Sequence, residues 1–154
     1  MNTKFETPTV KAVILAAGVG SRLSPLTSDC PKCLLHVGGV AILERMIRGN
    51  LARGVTEFVI VLGYLDERVK AFVNETFPDL NAEFVLNKSF RRTNTGYSLL
   101  LAEPHCRDCD FIKYDADVVF EDEIISRLLE SKNHNCLCID RNMQLNTEEV
   151  KVIV

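Results

Sequence analysis

Four charged side chains in this sequence stand where charge could do chemistry. Arg22 and Lys32 follow a pair of glycines, and Asp115 and Asp117 follow an apolar run. The stretch 11–35 reads K-A-V-I-L-A-A-G-V-G-S-R-L-S-P-L-T-S-D-C-P-K-C-L-L. Its apolar start over 12–17 is short enough for a buried strand and ends in a Gly-rich turn. Gly18 and Gly20 permit positive φ and remove Cβ atoms where a ligand could press on the backbone. Arg22 and Lys32 bring two fixed cations to the same loop, which suits an anionic ligand. Together they predict a phosphate cradle. It is not a P-loop, because no Gly-Lys-Ser/Thr follows at the required spacing. Nor is it a dinucleotide fingerprint, because Leu23 stands where the third glycine belongs. An ordinary turn would explain a lone Gly-x-Gly, but not one backed by Arg22 and Pro31-Lys32.

The second charged set lies in Y-D-A-D-V-V-F, residues 114–120. Two carboxylates directly after a predicted strand fall where ligands collect in open α/β sheets. Hard carboxylate oxygens suit Mg²⁺, which a triphosphate carries with it. An isolated D-x-D would more simply cap the following turn.

The elements that must position these groups alternate. Strands are predicted at 11–16, 57–62, 82–86, 110–114, 135–140 and 149–154, and helices at 41–53, 65–77, 97–102 and 121–132. Leu43, Ile47 and Leu51 recur at helical spacing, with Gly54 beyond them as a terminator. E-F-V-I-V-L at 57–62 is nearly all apolar, as in a strand covered on both faces. Strands separated by helices imply an α/β fold with a doubly wound, Rossmann-like sheet. No repeat or linker interrupts the pattern, so residues 1–154 read as one domain.

The chain has 154 residues, 47% of them hydrophobic and 25% charged, ordinary values for a soluble domain. A net charge of −3, a pI near 5.6 and no basic block argue against nucleic acid or a membrane surface as partner. No apolar run is long enough to span a bilayer and no signal-peptide pattern opens the chain, so the expected location is cytoplasmic.

L-A-A-G-V-G-S-R-L-S-P-L-T followed by C-P-K-C-L-L closely resembles the signature of the sugar-phosphate nucleotidyltransferases, and the resemblance continues through 114–120. It implies a GT-A-like mixed sheet and an enzyme that joins a nucleoside triphosphate to a small phosphate-bearing acceptor, releasing pyrophosphate. It also implies nucleotide contacts from Leu15, Ala16, Ala17, Gly18, Gly20, Ser21 and Arg22. Arg22, Lys32 and Asp117 would carry the chemistry, with Mg²⁺ on Asp117 and Asp115 as a weaker ligand. Asn94-Thr95-Gly96-Tyr97-Ser98-Leu99 resembles the segment that reads base and ribose, giving Asn94, Thr95, Gly96 and Ser98 as nucleotide contacts. Thr95 is also a natural N-cap there. Tyr97-Ser98-Leu99 after Asn-Thr-Gly resembles the cytidylyltransferase branch, whose acceptors include phosphocholine, inositol 1-phosphate and 2-aminoethylphosphonate, so CTP is the favoured nucleotide. The alternatives are a sugar 1-phosphate uridylyl- or thymidylyltransferase and a non-catalytic nucleotide-binding module. Members of this family continue well beyond the point where this sequence ends. The expectation is therefore a truncated chain, holding the nucleotide half and lacking a second metal carboxylate and much of the acceptor pocket. A sheet cut short in this way leaves an edge on which a second copy could pair.

Six cysteines include Cys30-x-x-Cys33, Cys106-x-x-Cys109 and Cys136-x-Cys138. A zinc site is one reading, but the first pair sits inside the phosphate loop and the two CxxC pairs are widely separated. Cys136 and Cys138 alternate with Leu137 and Ile139 as small hydrophobes of a buried strand would. Unreactive, reduced thiols are the expectation. His36, His105 and His134 are scattered and read as structural or exposed.

Overall fold

The computed structural model describes residues 9–139. Among them, a four-stranded parallel sheet has the order β5-β4-β1-β6. The strands are β1 (Val10–Ala16), β4 (Glu57–Leu62), β5 (Asn81–Leu86) and β6 (Asp110–Asp115). β1 is central, in register with Glu57–Leu62 on one side and with Asp110–Asp115 on the other. A short antiparallel hairpin, β2 (His36–Val37) with β3 (Val40–Ala41), precedes the first helix.

Side-chain alternation along the strands divides the core in two. Ala12, Ile14, Phe58, Ile60 and Leu62 face α1 (Ile42–Leu51) and α2 (Asp66–Thr76), packing on Leu43, Met46, Ile47, Val69 and Val73. Val13, Leu15, Val59 and Val61 face the other way, against Ala102 of α3 (Thr95–Ala102) and Cys106 beyond it. β1 and β4 are thus covered on both sides, which is why their sequences are nearly all apolar. α4 (Glu123–Leu129) lies beside α1, where Arg53 donates to Ser126 Oγ at 3.0 Å and to Asp122 Oδ2 at 3.3 Å.

The predicted elements at 11–16, 57–62, 82–86 and 110–114 appear as strands within a residue of their expected ends, and all four helices form, the last shortened to Glu123–Leu129. One strand does not form. Over 135–139 the chain is irregular, Cys136 and Cys138 are exposed, and Leu137 is 70% exposed. An alternating four-residue run needs a partner strand to become one, and no described strand pairs with it. The strand expected at 149–154 lies outside the described residues.

The chain runs from β1 outward through β4 to β5, then crosses back to place β6 on the other flank of β1. That reversal makes the carboxyl ends of β1 and β6 the switch point of the sheet, where a crevice opens.

Candidate active site

A cleft of about 640 Å³ lies at this switch point. Its walls come from the carboxyl ends of the strands and the loops that follow them. The end of β1 contributes Leu15 to Gly18, and the loop after it Arg22 and Lys32. The end of β6 brings Asp115 and Asp117, while Asn94, Thr95 and Ser98 come from the start of α3. The expected site residues therefore converge from positions a hundred residues apart in sequence. Gly20, Ser21 and Gly96 stand outside the lining and shape the loops that bear it.

The glycine loop is braced from behind. Gly20 takes φ +69, a left-handed conformation that suits glycine, and its carbonyl accepts from Thr27 Oγ1 at 2.9 Å. Gly18 is not in that region, and a Cβ on it would meet nothing within 4 Å, so its open side belongs to the cleft. Among the described residues no backbone carbonyl accepts from the amides of Gly18, Val19 or Gly20, which leaves these donors for an anion. Tyr64 anchors the loop twice: its amide donates to Ala17 O at 3.2 Å and its hydroxyl to Ser28 O at 2.7 Å. Gly63 makes that approach possible, because a Cβ there would stand 2.7 Å from Ala17 O. Arg68 donates to the carbonyl of Asp29.

Lys32 opens a single 3₁₀ turn, Lys32–Leu34, whose next residue, Cys33, is buried. Burial pushes the Cys33 thiol up to about 12, so it stays a neutral apolar peg beneath the loop. With Cys33 pinned below, the Lys32 side chain reaches across the cleft, and its Nζ lies 2.5 Å from Asp117 Oδ2. A second pair sits beside it, Lys113 Nζ to Asp115 Oδ2 at 2.5 Å.

The segment carrying the carboxylates is held by a buried polar contact. Tyr114 donates its hydroxyl to Asn50 Oδ1 at 2.9 Å, and Asn50 Nδ2 donates to Met46 O at 2.9 Å. Tyr114 also stacks on Phe120 with centroids 5.6 Å apart, closing the loop that bears Asp117. The Ala116 amide then donates to Leu15 O at 3.2 Å, tying this loop to β1.

At the α3 end the expected cap is corrected. Asn94, not Thr95, is the N-cap, its Oδ1 accepting from the Tyr97 amide at 3.1 Å. Both residues can cap, but the chain is extended at Asn94 and already helical at Thr95. Thr95 is thereby left facing the cleft with its hydroxyl uncommitted to the cap, and Asn94 keeps its Nδ2 protons.

Sequence reasoning missed Asn87. Only 1% exposed, it lines the cleft and holds the α3 loop together. Its Nδ2 donates to Thr93 Oγ1 at 3.0 Å and Ser98 Oγ at 3.1 Å, and its Oδ1 accepts from the Ser89 amide at 2.9 Å. The available signal was its place immediately after an apolar strand, on the same rim of the sheet as Gly18 and Asp115. Phe90 and Thr93, also in the lining, were missed as well. His105 has a partner, its Nδ1 lying 2.6 Å from Glu83 Oε2, but this pair lies outside the cleft lining.

Residues 12–144 match the model of the MobA-like NTP transferase domain. Over 138 residues, 86% of the chain, the sequence is 30% identical to the CTP:phosphoglutamine cytidylyltransferase of Campylobacter jejuni, covering 53% of that protein. It is 33% identical to the choline-phosphate cytidylyltransferase of Haemophilus influenzae, with 82% of this chain and 55% of that protein covered. The solved structure of the CTP:phosphocholine cytidylyltransferase from Streptococcus pneumoniae superposes with a TM-score of 0.63 at 34% identity, covering 71% of this chain and 45% of that one. The inositol-1-phosphate CTP transferase of T. maritima, at 24% identity, shares the fold with a TM-score of 0.71, over 84% of this chain and 51% of that one. The fold is GT-A-like. The chain spans about half the length of these relatives.

Proposed function

Because this chain belongs to the MobA-like NTP transferase family, we propose that it forms the nucleotide-binding half of a nucleotidyltransferase. The enzyme would pass a nucleotidyl group, with CMP favoured, to a small phosphate- or phosphonate-bearing acceptor and release pyrophosphate. One observation carries this reading: Gly18, Arg22, Lys32 and Asp117 line one cleft at the switch point of the sheet. The preference for CTP is supported by the relatives at 30% identity and above that are described as acting with CTP or making CMP products.

An acceptor phosphate is already an anion, so the reaction needs no protein nucleophile. Its oxygen attacks the α-phosphorus in line, a new oxygen–phosphorus bond forms, and the bond to the β-phosphate breaks with its electron pair leaving on pyrophosphate. The protein has to align the two anions and offset their charge. Arg22 is assigned to the triphosphate and Lys32 to the α-phosphate or the acceptor phosphate. The loop amides at Gly18 to Gly20 supply further donors. Asn94, Thr95 and Ser98 are assigned to the base and ribose, and Asn87 orients Ser98.

The donor chemistry of the cleft fits Mg²⁺. Asp115 and Asp117 present hard oxygens, and among the described residues no group of three or more His, Cys, Asp or Glu could enclose a metal. A cation held here would share its coordination with phosphates and water, as Mg²⁺ commonly does. Bound to Asp117, it would neutralise phosphate charge.

The test is nucleotide binding and pyrophosphate release by the 154-residue chain with Mg²⁺. CTP, UTP, ATP and GTP would each be offered with phosphocholine, 2-aminoethylphosphonate, inositol 1-phosphate or glucose 1-phosphate. Saturable binding that prefers CTP supports the reading, and release with one acceptor identifies the substrate pair. No binding of any triphosphate to the folded chain would overturn it. CTP binding without pyrophosphate release with any acceptor would instead make this chain a nucleotide-binding module without turnover.

A further inference from the structure

The two carboxylates of the cleft are each held by a lysine, and the two lysines stand on different supports. Lys113 lies two positions before Asp115 on β6, so that pair belongs to one strand. Lys32 reaches Asp117 across 85 residues of sequence, from a turn on the opposite wall. Its side chain is 27% exposed and that of Asp117 39%, so neither is locked in place. The stem of Lys32 also backs the glycine loop: a Cβ on Gly20 would stand 3.2 Å from Lys32 Cβ.

The ammonium and a divalent cation cannot comfortably share Asp117. On one carboxylate they would stand within about 5 Å of each other, and their repulsion falls only when anionic oxygens come between them. Phosphates are such anions, and Lys32 is itself a phosphate donor in the reading above. We propose that Lys32 is a displaceable counter-ion of Asp117, which keeps the carboxylate neutralised until metal and triphosphate arrive together. The ammonium then passes from carboxylate to phosphate as the metal takes its place. The chain consequently discriminates against metal that arrives alone. Lys113 pairs with Asp115 on its own strand, not with Asp117, and so does not occupy the carboxylate assigned to the metal.

This inference rests on Asp117 as the metal ligand, so the experiment separates the two. Mn²⁺ binding to the 154-residue chain is followed by the free-ion electron paramagnetic resonance signal, without nucleotide and then with CTP. Without nucleotide, Lys32→Met is expected to bind Mn²⁺ about fivefold more tightly than wild type, the order of one partly exposed ion pair. Lys32→Gln should behave likewise. Lys32→Arg, which keeps the charge, should stay within about twofold of wild type, and so should Lys113→Met, which removes a charge nearby but not on Asp117. Equal tightening by Lys113→Met would mean a general charge effect and would overturn the proposal. So would Lys32→Met and Lys32→Gln binding no better than wild type. Asp117→Asn is the second arm. If it leaves Mn²⁺ binding with CTP unchanged, the metal role of Asp117 fails and the exchange with it. If it removes that binding while the Lys32 variants show no gain, only the exchange fails.

Discussion

Tyr114 and Asn50 meet in a buried hydrogen bond, hydroxyl to Oδ1 at 2.9 Å, across 64 residues of sequence. Tyr114 immediately precedes Asp115, so this contact fixes the height at which β6 delivers its carboxylates to the cleft. Tyr114→Phe keeps the ring and its stack on Phe120 but leaves Asn50 Oδ1 without its donor. A buried acceptor orphaned in this way costs about 1–3 kcal/mol. Urea denaturation should show that loss, with an unchanged slope.

The same tyrosine gives an alkaline limit to stability. Burial pushes Tyr114 up to about 12 from an ordinary value near 10, and Cys33 up to about 12 from near 9. Both are raised in the folded protein, so the unfolded chain loses these protons first as pH rises. Their contribution is fully present below about pH 9 and drains away between about 9 and 12. Denaturation midpoints measured from pH 8 to 11 should fall, and Tyr114→Phe should fall less steeply than wild type.

An acid limit lies at the other end of the sheet. A hydrogen bond from His105 holds the Glu83 carboxyl below its usual range, with Lys11 adding to the effect. A lowered carboxyl stabilises above its unfolded value, near 4.5, and loses that contribution as pH falls through the folded value. Glu83→Gln should therefore lose stability relative to wild type at neutral pH, and the gap should close as pH falls below about 4.

Asn87 makes three side-chain hydrogen bonds, and no single substitute reproduces them. Asn87→Ala should cost about 1–3 kcal/mol of stability. Because Ser98 and Thr93 lose their common donor, CTP affinity should fall as well. Calorimetric titration beside a denaturation curve checks both; intact affinity in a destabilised variant would reduce Asn87 to a purely structural role.

The cysteines divide by exposure. Cys136 and Cys138 are exposed, although partial burial raises the Cys138 thiol from its ordinary value, whereas Cys33 is 3% exposed and pushed up to about 12. Iodoacetamide at pH 8, followed by peptide mass spectrometry, should label Cys136 first, Cys138 more slowly and Cys33 last.

The order of the four sheet strands and four helices was legible in the sequence because most of them carry an apolar run or period of their own, whereas the two-residue strands of the hairpin, His36–Val37 and Val40–Ala41, are too short to show one. The phosphate loop was legible for a related reason: its glycines, Arg22 and Lys32 are neighbours along the chain. The segment 135–139 was misread because alternation records only that a strand is possible there. Whether it forms depends on a partner, which the segment does not contain. Asn94 in place of Thr95 as the cap is a smaller case of the same kind, decided by one residue's backbone angle.

The sequence by itself determined which residue types are present for phosphate and metal chemistry, and that they sit at the ends of apolar strands. A local period and a local motif suffice for that. Only the tertiary structure decided that β6 lies beside β1, which sets Asp117 opposite Lys32, and that Asn87 beneath α3 and Asn50 beneath β6 hold the two walls of the cleft. Those contacts join residues far apart in the chain, and their energies depend on distance and burial in three dimensions. No pattern of neighbours along the sequence records either.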